Sequence, residues 1–311
     1  MSIQTVAVTG GNGKIGSAII DACNDAGYRT VNLNRGKQKT RVTDGVIDRA
    51  DRYVQSDVLD PGSVYAALAE TNADAVVHMA SIPNPLSNVS HETYESNVMG
   101  SYNVLSAAIE LALESVVLPS SVNVMGGTFQ NEPMEVATLP VDETHPVTPR
   151  DPYGTAKHAI EVTADAFGRR ADSETSIASL RLPWVAGRDE LLETFDGVDR
   201  SLDAVTDDDA LFGRDDLFAY IERTDAARLA LAAIGAPFDD HERFWGVADT
   251  TSVAVETPAL VEACYPNTTV ERSFSGHSAL VSTAKAAQLL GWEPTHRLSF
   301  KDPSSPVVVS D

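Results

Sequence analysis

Short apolar runs alternate with amphipathic, helix-like stretches along the first 182 residues of the chain. The pattern predicts strands at about 3–9, 29–34, 52–55, 75–80, 115–119 and 176–182. It predicts helices at about 14–26, from Pro61 onward, at 91–113 and at 152–170. Uninterrupted apolar runs indicate strands that are buried on both faces. Their alternation with helices therefore predicts an α/β fold built on a doubly wound parallel sheet.

The alternation weakens after residue 182. Residues 188–216 carry eleven acidic side chains and three arginines, with little regular periodicity. We therefore predict a large domain at 1–182 and a smaller C-terminal substrate-binding region at 183–311. No linker rich in Pro, Gly or Ser divides them, so the two parts are expected to pack as one unit and to interleave in part.

The chain is strongly acidic, with 45 acidic and 23 basic residues and a formal net charge of −22. This charge excludes nucleic acids and anionic membranes as electrostatic partners. The acidic clusters 207–209, 215–216 and 239–240 are interpreted as solvated surface, because no His or Cys accompanies them as a metal ligand. An acidic surface with only six lysines suits a salt-rich cytoplasm that screens self-repulsion, and this favours a halophilic source.

Neither a membrane span nor a secretory signal is expected. No apolar run approaches the roughly 20 residues that a transmembrane helix needs, and no basic segment precedes an apolar one at the N-terminus. Cys23 and Cys264 form no disulfide framework and no zinc-binding spacing. A cytoplasmic protein without a metal is predicted, and His78, inside an apolar strand, is expected to be a core residue.

The first predicted strand ends in the glycine-rich turn Thr9-Gly10-Gly11-Asn12-Gly13-Lys14-Ile15-Gly16. Glycines at positions 10 and 13 let the backbone turn sharply and approach a pyrophosphate, and Gly16 lets the next helix lie close to the sheet. The N-terminus of that helix offers unpaired N–H groups and the positive end of its dipole. We therefore predict a Rossmann-type dinucleotide site that includes Gly10, Asn12, Gly13, Lys14, Ile15 and Gly16.

Tyr153 and Lys157 are four residues apart and share one face of a predicted helix. A phenol with a pKa of about 10 is a poor base at neutral pH. A nearby ammonium group favours the phenolate and lowers that pKa, so Tyr153 is predicted to act as a general base. Ser120 and Ser121 are the candidates for a hydroxyl that binds the substrate oxygen. An ordinary amphipathic pair is the alternative, and the glycine turn argues against it.

These motifs resemble those of the extended short-chain dehydrogenase/reductase family, also called the NAD-dependent epimerase/dehydratase family. The resemblance rests on the glycine turn, Asp57-Val58, His78-Met79-Ala80, Asn97, Ser121 and the Tyr153–Lys157 spacing, and it extends to Ala284-Lys285 and to Leu290-Gly291-Trp292-Glu293-Pro294. It implies NAD(P)-dependent oxidoreductase chemistry. It also favours Ser121 over Ser120, because the functional serine of the family lies five residues before a glycine, here Gly126.

The same resemblance assigns further residues. It implies that Lys157 also binds the nicotinamide ribose, and it adds Asp57, Val58, Ala80, Asn97 and Pro183 to the cofactor site. For Asn97 a structural tie between helix and strand is an equal alternative. The helices at 91–113 and 152–170 correspond to those of a four-helix dimer interface in this family, so a homodimer or a dimer-based oligomer is expected.

The end of the second strand bears on the choice of cofactor. NAD enzymes usually place an acid there to accept from the ribose hydroxyls, whereas an arginine suits the 2′-phosphate of NADP. This chain has Asn34-Arg35, followed by Lys37, Lys39 and Arg41. NADP is therefore predicted, with NAD also accepted.

The predicted reaction is the oxidation of a free aldose, such as L-arabinose, at its C1 hydroxyl to an aldonolactone. The acidic segment 188–216 disfavours the diphosphate of a nucleotide sugar. The stretch 120–126 and the shortened region after Gly187 resemble uronate dehydrogenase and aldose 1-dehydrogenases. The acidic, lysine-poor composition of the chain suggests a haloarchaeal member of this group. A uronate substrate needs a cation to bind its carboxylate. After the strand at 176–182 only Arg188 is near, beside Asp189 and Glu190, and this favours a neutral aldose. The predicted sugar pocket contains Ser81, Ser121, Asn123, Tyr153 and Trp184, with Pro183 beside it.

Two alternatives stay open. A nucleotide-sugar 4-epimerase or dehydratase would use the same Ser–Tyr–Lys set and return the hydride to the sugar. A non-catalytic NADP-binding regulator would bind the cofactor without turnover. The intact Ser121, Tyr153 and Lys157 argue against the regulator.

Overall fold

The computed structural model describes residues 3–37, 49–130, 132–170, 174–206, 213–238, 240–300 and 308–310. The basic residues Lys39 and Arg41 of the predicted cofactor site lie outside these ranges, as do the acidic residues 207–209 and Asp239.

A parallel sheet of seven strands forms the centre of the fold. The described strands are β1 (Thr5–Thr9), β2 (Arg29–Asn34), β3 (Arg52–Gln55), β4 (Ala75–His78), β5 (Ser115–Ser121), β6 (Thr138–Leu139), β7 (Ser176–Leu182), β8 (Trp184–Ala186), β9 (Tyr220–Glu222), β10 (His241–Trp245), β11 (Thr269–Val270), β12 (Arg297–Ser299) and β13 (Val308–Ser310). The central order is β10-β7-β5-β4-β1-β2-β3. The predicted α/β fold with a doubly wound parallel sheet is confirmed.

Helices cover both faces of this sheet. The described α-helices are α1 (Lys14–Asp25), α2 (Pro61–Thr71), α3 (Ser90–Glu110), α4 (Pro152–Gly168), α5 (Arg188–Phe195), α6 (Leu202–Val205), α7 (Arg223–Ala233), α8 (Thr257–Cys264) and α9 (Ala284–Leu290). Short 3-10 turns lie at 85–87, 122–125 and 214–216. None of the described helices has both the length and the apolar character needed to cross a membrane.

Two strand ends differ from the sequence pattern. The apolar run continues to Ala80, but β4 ends at His78. The Met79 N–H makes the last ladder bond, to the Thr9 carbonyl at 3.0 Å, and the Ala80 N–H then donates to the Thr9 hydroxyl at 3.3 Å. The strand β5 continues to Ser121, which pairs in register with Leu182 of β7.

The apolar side chains of the strands divide between two core layers. Val6, Val8 and Val77 are fully buried on the face that carries α1 and α7. Ala7 and Val76 are fully buried on the opposite face, against α2, α3 and α4. This alternation follows from the two-residue period of a strand, and it makes both faces of the sheet apolar.

The chain after residue 182 returns to the central sheet. The strand β10 pairs in parallel with β7 at the sheet edge, and α7 packs against α1. The remaining strands form three two-stranded sheets, β6 with β11, β8 with β9 and β12 with β13. A third apolar cluster, which includes Met125, Phe218 and Trp245, joins this region to the loops that follow β5.

Two helices on the same side of the sheet begin with the same local structure. Asp60 accepts hydrogen bonds from the N–H groups of residues 62 and 63, and Pro61 occupies the first turn of α2. Asp151 accepts from the N–H groups of residues 153 and 154, and Pro152 occupies the first turn of α4. An aspartate cap with proline at the first helical position stabilises a helix N-terminus, so these two residues define where both helices start.

Candidate active site

The carboxyl ends of the central strands gather the predicted site residues. Beyond β1 the chain turns to β2 on one side, and β4 lies on the other side of β1. Ligands of open α/β sheets bind outside the carboxyl ends of the strands, at the point where the strand order reverses. The glycine turn after β1, the loop after β4 and the end of β5 all meet at this edge.

The glycine turn has no room for a side chain at Gly10, Gly11 or Gly16. Gly10 has a φ of +69°, and a Cβ there would lie 2.7 Å from the backbone N of Ala80. A Cβ on Gly16 would collide with the carbonyl oxygen of Gly10. The turn therefore packs against the loop after β4 while α1 lies close to the sheet, as the sequence predicts.

The start of α1 suits an anionic ligand. The N–H groups of its first turn, at Lys14, Ile15 and Gly16, have no partner within the helix. No acidic side chain occurs in that turn, so the positive end of the helix dipole is uncompensated. These features fit the pyrophosphate of a nicotinamide dinucleotide.

Lys14 has a partner that the sequence does not reveal. Its ammonium group is 2.6 and 2.7 Å from the carboxylate oxygens of Glu190 on α5, and it donates to the carbonyl of Val185 at 3.4 Å. The ion pair connects the glycine turn with the segment after β8. Glu190 therefore neutralises the charge of Lys14 beside the predicted pyrophosphate position.

A chain of amide side chains fastens the end of β2 to the glycine turn. Asn34 donates through Nδ2 to Oδ1 of Asn32 at 2.5 Å, and Asn32 donates through Nδ2 to Oδ1 of Asn12 at 3.0 Å. Asn32 is fully buried. Arg35 and Lys37 are exposed at this end of the strand. The side-chain oxygen of Asn34 is consequently a neutral acceptor where NAD enzymes usually carry an acid.

His78 is a core residue. It is fully buried at the end of β4, and Nδ1 lies 2.6 Å from the hydroxyl of Thr9. Burial, reinforced by the charge of Lys157, lowers the pKa of His78 to about 3, so the imidazole is neutral. In the described part of the chain, no group of three or more His, Cys, Asp or Glu side chains is placed to hold a metal ion.

The other residues assigned by resemblance line the same edge of the sheet. Asn97 of α3 accepts from the N–H of Ile82 at 2.7 Å and donates to its carbonyl at 3.1 Å. These bonds show the structural role considered for Asn97: it ties α3 to Ile82, in the loop that follows β4. Asp57 and Val58 follow β3, where Val58 is buried beside α3.

Ser121, Tyr153 and Lys157 come together where β5 ends and α4 begins. Tyr153 is hydrogen bonded to Ser121. The Lys157 ammonium lies 5.4 Å from the centre of the Tyr153 ring and donates to the carbonyl of Pro119 at 3.0 Å. Phe129 packs edge-on against the Tyr153 ring, with centroids 5.6 Å apart. The three predicted catalytic side chains therefore form one group.

The expected lowering of the pKa of Tyr153 by Lys157 is wrong. Burial raises the pKa of Tyr153 to about 12, although the hydrogen bond with Ser121 acts in the opposite direction. Burial also lowers the pKa of Lys157 to about 7, which weakens the charge that was to stabilise the phenolate. Spacing places the two groups together, but the low-polarity surroundings penalise both charges.

The choice between the two serines is decided by their partners. Ser120 donates to the carboxylate of Glu161 at 2.6 Å. Ser121 donates to Oδ1 of Asn123 at 3.0 Å and bonds with Tyr153. Ser121 is therefore the serine that lies beside Tyr153.

The predicted sugar-pocket residues surround this group to different degrees. Asn123 is buried, and its Nδ2 has no hydrogen-bond partner among the described residues. Trp184, in β8, packs edge-on against Phe195 of α5, so part of its ring serves the core. Ser81 and Pro183 follow β4 and β7 at the same edge of the sheet.

Asp215 and Asp216 of the acidic clusters are half-buried, and both accept hydrogen bonds from the protein. Asp215 accepts from the N–H of Met134 at 3.1 Å, and Asp216 accepts from the hydroxyl of Thr128. Burial, with the charge of Asp215, raises the pKa of Asp216 to about 6. This pair fastens the loop that carries Phe129 beside Tyr153.

Several supporting residues were missed. The cap Asp151 stands before a proline and two residues before Tyr153, a pattern visible in the sequence. Glu161 continues the four-residue spacing of Tyr153 and Lys157 and was equally visible. Glu190 and Asn32 carried no such signal, because their contacts depend on the folded chain.

Comparison with protein families and curated proteins gives consistent matches. A model described as the NAD dependent epimerase/dehydratase family matches residues 6–206. A putative UDP-glucose 4-epimerase of Methanocaldococcus jannaschii is 29% identical over 177 residues, which cover 55% of this chain and 53% of that protein. UDP-glucose 4-epimerase 2 of Oryza sativa subsp. japonica is 31% identical over 189 residues, which cover 58% of this chain and 44% of that protein. The chain thus spans about half the length of these relatives.

Solved structures share the fold over nearly the whole chain. MoeE5 in complex with UDP-glucuronic acid and NAD has a TM-score of 0.65 at 19% identity, with 97% of each chain covered. UDP-glucose 4-epimerase of Thermotoga maritima with UDP-glucose has a TM-score of 0.66 at 20% identity, with 94% of each chain covered. At this identity the likeness is one of fold.

Proposed function

Because the chain belongs to the NAD dependent epimerase/dehydratase family, we propose that it is an enzyme that moves hydride between a sugar and a nicotinamide dinucleotide. We further propose that its substrate is a UDP-hexose and its reaction 4-epimerisation. One observation carries the reaction type: Ser121, Tyr153 and Lys157 form a buried group at the sheet edge beside the glycine turn.

The site supplies the proton chemistry. When bound, the cofactor supplies the hydride acceptor. Ser121 donates a hydrogen bond to the sugar oxygen that is to become a carbonyl, and Tyr153 in its phenolate form takes the proton from that hydroxyl. Lys157 is fixed by the Pro119 carbonyl and lies beside the Tyr153 ring; its protonated form stabilises the phenolate and binds the ribose hydroxyls of the cofactor in this proposal.

The choice of a nucleotide sugar rests on the comparisons. The curated relatives described above are UDP-glucose 4-epimerases, and the neighbours in fold were solved with UDP-sugars. This support favours an epimerase over the aldose 1-dehydrogenase that the sequence placed first.

A free aldose remains a second candidate because of the charges after β7. A diphosphate calls for available cations. Many of the described basic side chains in this region are already held by protein oxygens, namely Arg188, Arg200, Arg228, Arg243, Lys285 and Arg297. This arrangement favours a substrate without phosphate.

The test offers the purified protein NAD⁺ or NADP⁺ together with UDP-glucose, UDP-galactose or one of a panel of free aldoses. Conversion of UDP-glucose into UDP-galactose without net reduced cofactor supports the epimerase. Net reduced cofactor with a free aldose, and no change in the UDP-sugars, supports the dehydrogenase instead. Cofactor binding without either reaction contradicts both and leaves the regulator.

The control for either reaction is Tyr153→Phe, which retains the ring and its packing against Phe129. Turnover should fall by roughly 10²–10⁴-fold, the usual contribution of a general base. The affinity for the cofactor should stay the same.

A further inference from the structure

A buried ion pair lies directly behind the reaction centre. Every fourth residue on the inner face of α4 is polar: Tyr153, Lys157, Glu161 and Asp165. Glu161 lies one helical turn beyond Lys157, and both side chains are 1% exposed. A buried carboxylate is costly unless it is paired and hydrogen bonded, so the partners of Glu161 are decisive for its role.

The carboxylate of Glu161 receives four hydrogen bonds. Arg181 of β7 donates through Nε to Oε1 at 2.9 Å and through Nη2 to Oε2 at 2.8 Å. Arg243 of β10 donates to Oε2 at 3.0 Å, and Ser120 of β5 donates to Oε1 at 2.6 Å. Burial alone would raise the pKa of Glu161, but Arg181 and Ser120 hold it below its ordinary value. Glu161 is therefore a charged acceptor that joins α4 to three strands.

In the sequence of β5, Ser120, which contacts Glu161, stands between the two residues that contact Lys157 and Tyr153. The Pro119 carbonyl accepts from Lys157, the Ser120 hydroxyl donates to Glu161, and Ser121 bonds with Tyr153. Three consecutive residues at the end of β5 are thus fastened to three turns of α4. Ser120 also pairs in register with Arg181, the principal partner of Glu161.

From this arrangement we propose that Glu161 is a positioning residue for the reaction. Its carboxylate, fixed by Arg181, holds Ser120 and thereby sets where Ser121 stands relative to Tyr153 and Lys157. The rate consequence rests on the proposed hydride transfer, whereas the geometric consequence does not depend on any substrate. A displacement of about 1 Å at a reacting group can cost 10²-fold in rate.

Three variants separate positioning from general stability. Glu161→Gln removes the charge while keeping the shape, and Ser120→Ala removes one hydroxyl from the link to β5. Asp165→Asn is the matched control, since it disturbs the outer contacts of the same helix face with His241 and Arg243 and leaves Ser120 bound to Glu161.

The first measurement needs no substrate. Carbon-13-labelled tyrosine gives a ring signal for Tyr153, assigned by its loss in Tyr153→Phe. This signal should shift in Glu161→Gln and in Ser120→Ala and stay in place in Asp165→Asn. An unmoved signal in Ser120→Ala and in every folded Glu161→Gln sample overturns the proposal, whatever reaction the protein catalyses.

The second measurement uses whichever sugar the wild-type protein converts. We expect kcat to fall roughly 10–100-fold in Glu161→Gln and about 10-fold in Ser120→Ala, with unchanged cofactor affinity and KM. Asp165→Asn should keep kcat within about twofold of the wild-type value, although it should lower the melting temperature about as much as Glu161→Gln does. If Glu161→Gln does not fold, Ser120→Ala decides the question, and a wild-type kcat there contradicts the role in the rate.

Discussion

Burial of the Lys157 ammonium group lowers the free energy of unfolding of this protein. It is almost completely buried, and burial lowers its pKa from 10.5 to about 7. The unfolded chain therefore binds more protons than the folded one between pH 7 and 10.5. Through Lys157 alone, the free energy of unfolding consequently rises with pH across this window, and the destabilisation by Lys157 is fully present below pH 7.

Lys157→Met should remove this penalty. We expect the variant to be more stable than the wild type at pH 7 by about 1–4 kcal/mol, the usual gain when buried charge gives way to apolar packing. Its stability should be nearly flat from pH 7 to about 8, below the pKa of about 8.5 at which cysteine ionises in the unfolded chain, measured by urea unfolding, while turnover is lost. Lys285→Met, at a half-buried lysine paired with Glu242, should retain the pH dependence of the wild type. A similar pH slope in Lys157→Met would contradict the assignment.

The end of β2 yields a prediction about the cofactor. Asn34 is a neutral acceptor whose amide group is held by Asn32, and Arg35 is exposed beside it. Arg35→Ala should weaken NADP⁺ binding by about one to two powers of ten, which corresponds to roughly 1.5–3 kcal/mol for a bond to a charged group. NAD⁺ binding should stay nearly unchanged.

Asn34→Asp should shift the preference toward NAD⁺, because a carboxylate accepts from the ribose and repels a 2′-phosphate. Direct binding of both cofactors, followed through tryptophan fluorescence, measures these effects without any substrate. An unchanged ratio of NADP⁺ to NAD⁺ affinity in Arg35→Ala would show that the 2′-phosphate is bound elsewhere.

At the scale of the elements, the two capped helices form a natural pair. Asp60 of α2 and Asp151 of α4 each accept two backbone hydrogen bonds and precede a proline. Only α4 begins at the reaction centre, with Tyr153 as the second residue after its cap. The same chemical change at the two caps should therefore have different consequences for catalysis.

Asp151→Ala and Asp60→Ala should each lower the free energy of unfolding by about 0.5–2 kcal/mol, the usual cost of losing an N-cap. Only Asp151→Ala should also lower kcat, by roughly tenfold or more, because Tyr153 lies in the turn that frays. Urea unfolding and steady-state kinetics on both variants test this. Equal kcat values would show that the cap serves stability alone.

At the scale of the whole molecule, the net charge of −22 dominates. Self-repulsion among surface carboxylates is screened by dissolved ions. The melting temperature should therefore rise between low and molar sodium chloride by at least about 3 °C, the shift that about 1 kcal/mol produces in domains of comparable size. Sucrose at equal osmolality serves as the uncharged control. A melting temperature independent of salt would argue against the halophilic source.

The outer faces of α3 and α4 lead to a prediction about assembly. Met99 and Tyr102 of α3 and Val162 of α4 are all more than 40% exposed. Apolar side chains clustered on packed helices favour burial against a partner, and we propose that a second copy of this chain covers them. Val162→Glu should convert a dimer into a monomer in sedimentation experiments, whereas Tyr65→Glu on α2 should not. A monomeric wild type would reject the proposal.

Local rules were sufficient for much of this protein. The alternation of apolar runs and helical stretches predicted six of the seven central strands to within a few residues and missed β10, because periodicity depends only on neighbours along the chain. The glycine turn and the Tyr153–Lys157 spacing were equally legible, since a tight turn and one helix face are short-range constraints. The family followed from these motifs together.

Folding decided the properties that depend on burial and on distant partners. Ser120 and Ser121 are neighbours in sequence, and only the contact of Ser120 with Glu161, 41 residues away, separates their roles. Lys14 meets Glu190 across 176 residues, and β10 returns to the sheet from beyond residue 240. The pKa of Tyr153 moved against expectation and that of Lys157 fell, because spacing sets which groups meet, while the surrounding packing sets the cost of their charges.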